Sequence, residues 1–285
     1  MKNIAISGCS GFVGQELSNY FKNLGFTILP IPREVLSDVD ELSSFLEGSD
    51  IVFNLAGANI IQKWNPEYKK ELYDSRINST KNLVKAFEKM SKKPKIFIST
   101  SAIGIYSNDK EQTEEDFSLS NNFLSKLCKD WENEAYNAKY EGIRTIIFRF
   151  PIVLGKNGGA FKKMILPFKL GLGGILGDGK QHFSYIHILD LCRAYEYIIN
   201  CKNCSGIYNL CTSHPTNNLT FTKTLGKHLN RPTIFPVPSF ILKLLFGEGS
   251  SVLLDGQRVY GKRLFEAGFN FKYPNIESVL EDLTK

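Results

Sequence analysis

Over the first 150 residues, short apolar runs alternate with stretches whose apolar positions recur at helical spacing. Asn3 to Ser7 reads as a buried strand, and Gln15 to Leu24 places Leu17, Phe21 and Leu24 on one face of a helix. Thr27 to Ile31 is a second strand, and Ile51 to Ala58 is a third that ends in small residues. A helical pattern over Tyr68 to Met90, a strand over Lys95 to Ser101, a helix over Asn121 to Tyr140 and a strand over Thr145 to Phe150 continue the alternation. Strands separated by helices pair in parallel, so the pattern predicts a doubly wound parallel sheet, an α/β fold whose ligands sit at the carboxyl ends of the strands.

After Pro151 the alternation breaks down. Gly155 to Gly179 is rich in glycine and holds Pro167, which predicts a loop with a short helix. Asp190 to Asn200 reads as a helix with Asp190 as its cap, and Ile207 to Leu210 as a returning strand. From Thr212 onward, Pro215, Pro232, Pro236, Pro238 and Pro274 punctuate short helices such as Phe240 to Phe246 and Leu253 to Phe265. The expected organisation is a nucleotide-binding domain over 1–165, with 186–211 returning to it. A small mixed C-terminal lobe would be built from 166–185 and 212–285, with substrate in the cleft between the two.

The composition is that of an ordinary globular chain: 285 residues, 42% hydrophobic and 22% charged. The net charge is +6, but the basic residues are scattered and no dense basic run interleaved with aromatics suggests a nucleic-acid groove. No run approaches the ~18 apolar residues of a membrane span, and no charged leader precedes the first strand, so a cytoplasmic protein, monomer or homodimer, is expected. Six cysteines spread over the chain suggest reduced thiols. Cys201 and Cys204, with Cys211 and His214, have the spacing of zinc ligands, but a strand over Ile207 to Cys211 would carry Cys211 away from the first pair, so no metal is expected.

The most informative chemistry lies at the first strand-to-helix turn, Gly8-Cys9-Ser10-Gly11-Phe12-Val13-Gly14. Glycine there lets the backbone turn tightly and approach a pyrophosphate, whose charge the free amides and the helix dipole favour. The alternative is a purely structural glycine turn. At the end of the second strand, where NAD enzymes place an acid against the ribose hydroxyls, stands Arg33. A guanidinium suits a 2′-phosphate, which makes NADP the expected coenzyme and NAD the less favoured one; the alternative is a solvated loop arginine. Ala56, Gly57 and Ala58 leave room for the ribose and nicotinamide half.

These segments resemble the atypical extended short-chain dehydrogenase/reductases of the NAD-dependent epimerase or dehydratase family, a group that includes the YfcH-like proteins. The resemblance covers nearly the whole chain. Besides the glycine turn, it rests on Asn54-Leu55-Ala56-Gly57, Asp74-Ser75-Arg76-Ile77, Ser101-Ala102-Ile103-Gly104-Ile105-Tyr106, the stretch from Gly158 to His187, and Gly256-Gln257-Arg258-Val259. It implies a Rossmann-like fold, cofactor contacts from Gly8, Ser10, Gly11, Phe12, Val13, Gly14, Leu55, Ala56, Gly57 and Pro151, and a catalytic Ser101 that polarises the substrate oxygen.

The tyrosine and lysine that complete the family's site are missing. Counting back from Glu132 puts Leu124 and Cys128 in their places. A pair shifted by one residue, Ser125 with Lys129, keeps the four-residue spacing but rotates about 100° round the helix. Tyr106 is the better candidate for a general acid or base, set against a packing role. The arginine that meets the pyrophosphate in nucleotide-sugar epimerases is replaced by Phe183 or Ser184, leaving Lys162 and Lys163 as the nearby cations. Arg76 either binds an anionic substrate or pins its helix, Tyr185 is a candidate substrate contact, His187 is structural, and Trp64 either covers the cleft or packs. The resemblance thus implies an NADP-dependent oxidoreductase or epimerase-like enzyme acting on a small carbonyl or alcohol. The alternatives are an NADP-binding sensor or scaffold without turnover and a structural protein with an empty pocket.

Overall fold

The computed structural model describes residues 2–212 and 214–285. In chain order the sheet-forming part runs β1 (Asn3–Ser7), α1 (Phe12–Asn23), β2 (Thr27–Pro30), α2 (Val39–Leu46), β3 (Ile51–Asn54), α3 (Pro66–Lys89) and β4 (Ile96–Ala102). It continues with β5 (Glu111–Gln112), α4 (Phe123–Tyr136), β6 (Arg144–Phe150), β7 (Ile152–Leu154), α5 (Gly159–Lys169), β8 (His182–Phe183), β9 (Tyr185–His187), α6 (Ile188–Asn200) and β10 (Gly206–Asn209). The remainder is β11 (Thr216–Asn217), α7 (Asn218–His228), α8 (Ser239–Phe246), α9 (Ser251–Leu254), β12 (Arg258–Val259), α10 (Lys262–Glu266) and α11 (Ile276–Thr284).

Six parallel strands form the central sheet in the order β10-β6-β4-β3-β1-β2. Side chains alternate across it with period two. Ile4, Ile6, Ile51, Phe53, Ile98 and Phe148 pack on one face with Leu17 and Phe21 of α1 and Leu191 and Tyr195 of α6. Ala5, Val52, Phe97 and Ile147 face the other way, against Leu42 and Leu46 of α2 and Leu83 and Phe87 of α3. Both faces are covered, which is why the strands read as nearly continuous apolar runs. The strand order reverses between β1 and β3, and a crevice opens at their carboxyl ends.

Several boundaries differ from the sequence expectation, each for an identifiable reason. The third strand stops at Asn54 instead of Ala58 because the buried Asn54 amide is held by Ser7, Thr80 and Ser99, and the Leu55 and Ala56 amides turn out of the sheet to donate to Ser7 Oγ. Leu24 closes α1 as an exposed residue and takes no part in the core. The cap of α6 is His187, whose ring accepts from the Leu189 amide at 3.1 Å, and not Asp190. Asp190 instead accepts the Lys272 and Tyr273 amides and pairs with Arg193, fastening the C-terminal segment to the sheet domain. The helix expected over Leu253 to Phe265 is two short helices separated by β12, which pairs with β5.

The expectation of reduced thiols throughout is corrected at one place. Cys201 and Cys204 form a disulfide, their Cα atoms 5.4 Å apart in the turn that follows α6. Arg144 holds that turn tight by donating to the carbonyls of Ile198, Ile199, Cys201 and Cys204. Cys211 lies in a separate core cluster with Tyr106, Cys128 and Val259. Among the described residues, no helix is long and apolar enough to cross a membrane.

Candidate functional site

The glycine turn is built as a close approach of two backbones. Gly8 has φ +69°, and a Cβ added there would lie 2.7 Å from the Leu55 carbonyl oxygen; at Gly14 it would lie 2.3 Å from the Gly8 carbonyl oxygen. The bend therefore packs against the outgoing end of β3 and against itself. Gly11 caps α1 with no side-chain hydrogen bond, and the first turn of α1 carries no acidic residue. Its leading amides and dipole are left facing the crevice, an arrangement suited to a phosphate. The Phe12 ring lies against Gly155, Gly158 and Gly159, where any Cβ would come within 2.8 Å of it. Of the three, Gly159 lines the adjoining cavity; the sequence pattern predicts only a loop with a short helix here.

Two cavities meet at this bend, sharing Gly8, Ala56 and Gly57. The larger, of about 1290 Å³, lies beside the end of β2 and is lined by Ser10, Arg33, Asn78, Lys81, Asn82 and Lys85, with Glu67, Glu71 and Asp74 also on its wall. The smaller, of about 490 Å³, is mainly apolar. Phe12, Val13, Gly11, Gly14 and Leu55 form one side of it, with Pro151 at the end of β6. Arg76, Ser101, Leu124, Cys128 and Trp131 also line it, as do His182, Ser184, Asp255 and Gln257 from the C-terminal part.

Ser101 sits at the end of β4, and its Oγ donates to Glu132 Oε1 at 2.6 Å. Glu132 is held on both oxygens by Arg149, whose Nε and Nη2 donate at 2.7 and 2.6 Å, and Arg149 Nη1 reaches the Tyr106 hydroxyl at 2.7 Å. The whole group is buried. Burial opposes the charge on Arg149, but the hydrogen bonds and charge of Glu132 hold its pKa above the ordinary guanidinium value. A carboxylate gripped in this way only accepts, so the serine proton is committed to it, and Ser101 offers the cleft lone pairs and no proton. The sequence signal for Arg149 is a charge within an apolar strand, which must have a buried partner.

Leu124 and Cys128, which the resemblance sets at the tyrosine and lysine positions, line the cleft wall. Burial pushes the Cys128 thiol up to about 11, so it is neutral at ordinary pH. The shifted pair does not form: Ser125 donates to the Ile105 carbonyl at 2.8 Å and Lys129 is exposed. Tyr106, expected as the proton-exchanging residue, is corrected to a core residue. It is 0% exposed, lies off the cleft, and its hydroxyl donates to Asn209 Oδ1 at 2.8 Å while accepting from Arg149. Burial, its largest influence, raises its pKa to about 12.

Tyr185, expected to contact substrate, is likewise 0% exposed and packs with Phe183 and Phe221, its hydroxyl donating to the His214 carbonyl; Ser184 and His182 face the cleft instead. Alternation along a strand accounts for that exchange. Lys162 and Lys163 are exposed on α5 and stay off the cleft. Trp64 packs: its Nε1 donates to the Ile60 carbonyl and its ring meets Phe123 edge-on.

The model of the NAD dependent epimerase/dehydratase family matches residues 4–211, and a domain of unknown function, DUF1731, matches residues 237–283. An epimerase family protein of Staphylococcus aureus strain N315 is 36% identical, with 100% of each chain covered. The human epimerase family protein SDR39U1, whose structure was solved with NADPH, is 30% identical with a TM-score of 0.92, covering 99% of both chains. A nucleoside-diphosphate sugar epimerase of Corynebacterium glutamicum superposes over 99% of this chain and 58% of its own, at 26% identity and a TM-score of 0.80. With its doubly wound sheet and glycine bend, the chain belongs to the NAD dependent epimerase/dehydratase family, as an atypical extended short-chain dehydrogenase/reductase.

Proposed function

We propose that the chain binds NADP(H) along the carboxyl edge of its sheet and moves hydride between it and a small carbonyl or alcohol in the apolar cleft, as an oxidoreductase or epimerase-like enzyme. The observation that carries this reading is the bend from Gly8 to Gly14, where added Cβ atoms would collide with backbone and where the two cavities join. The amides of that bend and of the α1 N-terminus would hold the pyrophosphate. Arg33, with Lys81 and Lys85 in the same cavity, would take the 2′-phosphate, and Val13, Leu55, Ala56, Gly57 and Pro151 would flank the nicotinamide half. The NADPH in the human relative supports the choice of NADP over NAD.

When bound, the coenzyme supplies or accepts the hydride. Ser101, its proton held by Glu132, would accept a hydrogen bond from a substrate hydroxyl, so the alcohol is the form it orients best. With Tyr106 in the core, the proton would pass to water.

The side chains at Leu124 and Cys128 favour one other reading, an NADP-binding sensor or scaffold that does not turn over. Titration of the purified chain with NADPH and NADH, followed by a 340 nm screen against aldehydes, ketones and alcohols, separates the two. Tight NADPH binding with turnover supports the enzyme, binding without turnover the sensor, and no binding of either coenzyme removes both. Arg33→Ala should weaken NADPH about tenfold while leaving NADH nearly unchanged; equal effects on both would remove the 2′-phosphate contact.

A further inference from the structure

Arg76 carries a charge that the coenzyme and hydride chemistry leave unused. It projects from α3 into the wall of the apolar cleft, its guanidinium carbon 5.4 Å from the Trp131 ring. The loop after β3 lies directly on it, since a Cβ at Gly57 would come within 2.9 Å of Cζ. Nη1 donates to the Leu72 carbonyl at 3.0 Å and Nη2 to the Ala58 carbonyl at 2.9 Å. Two neutral oxygens thus satisfy two of the five N–H donors a guanidinium carries, and no salt bridge joins it to a carboxylate among the described residues.

Two of the other inward arginines are paired with a carboxylate, while Arg144 and the half-buried Arg263 donate, like Arg76, to backbone carbonyls, Arg263 to those of Ile207 and Ser205. Arg149 has both oxygens of Glu132, Arg193 has Asp190, and Arg144 is surrounded by four carbonyls in the turn it closes. If Arg76 served only to tie α3 to the loop, a neutral amide would make the same two hydrogen bonds without the cost of holding a charge out of water. Its remaining donors and its whole charge are available to whatever fills the cleft.

We propose that Arg76 recognises a carboxylate on an otherwise apolar small molecule, and that the cleft selects such acids over their neutral analogues. The surroundings choose a carboxylate over a phosphate: Arg76 is accompanied by apolar walls from Phe12, Leu124, Leu127 and Trp131, and by the acid Asp255. One cation balances a monoanion but leaves a phosphate dianion with an uncompensated charge, and a planar carboxylate matches one forked guanidinium. The bend at Gly8 to Gly14 already provides for the coenzyme's pyrophosphate, and Arg76 lines only the smaller cavity. This deepens the proposed function by naming its substrate class, and it is measured without turnover.

The test is calorimetric titration of the full chain with benzoate against benzamide and hexanoate against hexanamide, each with and without saturating NADPH. Each acid should bind at least about tenfold more tightly than its amide, the margin of a charge-assisted pair. Arg76→Gln should remove that margin while NADPH affinity stays within about twofold of the native chain, and Arg76→Lys should keep part of it. Equal affinities for acid and amide in the native chain, no binding of either, or a loss of NADPH binding in Arg76→Gln as large as the loss of acid binding would each overturn the assignment. A native chain that prefers acids but binds no NADPH would remove the hydride reading and leave this one standing.

Discussion

Ser101 and Arg149 share one carboxylate, and that sharing sets the direction of the serine's proton as well as the stability of the site. Glu132→Gln would leave the Arg149 guanidinium, 3% exposed as a residue, without its charge partner. A stranded buried charge of this kind costs about 3–5 kcal/mol, so urea unfolding should show a loss of that size, whereas a loss below about 1 kcal/mol would mean that the pair is not formed in solution. Cys128 gives a pH-dependent test. Its folded pKa, raised by burial to about 11, keeps it a neutral thiol up to well above its ordinary 9.0. Iodoacetamide followed by mass spectrometry should find Cys128 unmodified at pH 8 in the folded chain, with labelling growing only as pH approaches 11; rapid labelling at pH 8 would show an open or charged environment.

At the scale of elements, the decisive unit is the β1 to α1 connection. Its backbone folds back so closely that Gly14 and Gly8 nearly touch, which aims the start of α1 at the crevice between β1 and β3. Gly14→Ala would force the two segments apart, because the offending atom is backbone and has no rotamer to yield. Coenzyme binding should fall at least about tenfold, with a lower melting temperature. A variant that binds as the native chain does would show that the bend is not the phosphate cradle. The outgoing end of β3 matters equally, since Asn54 with Ser7, Thr80 and Ser99 forms a buried polar cluster that ends the strand where the crevice begins.

For the whole molecule, the attachment of the C-terminal segment controls the cleft. His182, Ser184, Asp255 and Gln257 reach the cleft from beyond β6, and β12 is held beside β5. Asp190, fully buried on α6, is one of the clamps: it accepts two amides of the segment that leads into α11. Asp190→Ala would leave those amides unsatisfied and Arg193 without its partner, at a cost of about 2–4 kcal/mol. Hydrogen exchange at Lys272 and Tyr273 should accelerate well ahead of the β1 and β4 amides; uniform acceleration through the molecule would mean that the segment does not open separately.

The elements of the sheet, their parallel pairing and the glycine bend were legible in the chain because each is a local matter. A strand buried on both faces needs an apolar run, a covering helix needs its apolar residues three or four apart, and a tight approach of backbones needs glycine. Ala56 and Gly57 on the cleft wall followed from the small residues that end the third strand, whereas Leu124 and Cys128 were placed there by the family resemblance. The partners of polar side chains were not legible. Ser101 meets Glu132 31 residues away and Tyr106 meets Asn209 103 residues away, contacts that depend on how crossovers and strand register bring distant segments together. Ser184 beside Tyr185 and Gly104 two residues before Tyr106 line the cleft, and only the packed fold shows that the two tyrosine side chains turn into the core. Local pattern therefore determined the scaffold and the place of the glycine bend. Tertiary packing decided which charges are paired with a carboxylate, as Arg149 is with Glu132, and which, like Arg76, meet only backbone carbonyls among the described residues, because pairing depends on distances that no neighbouring residue encodes.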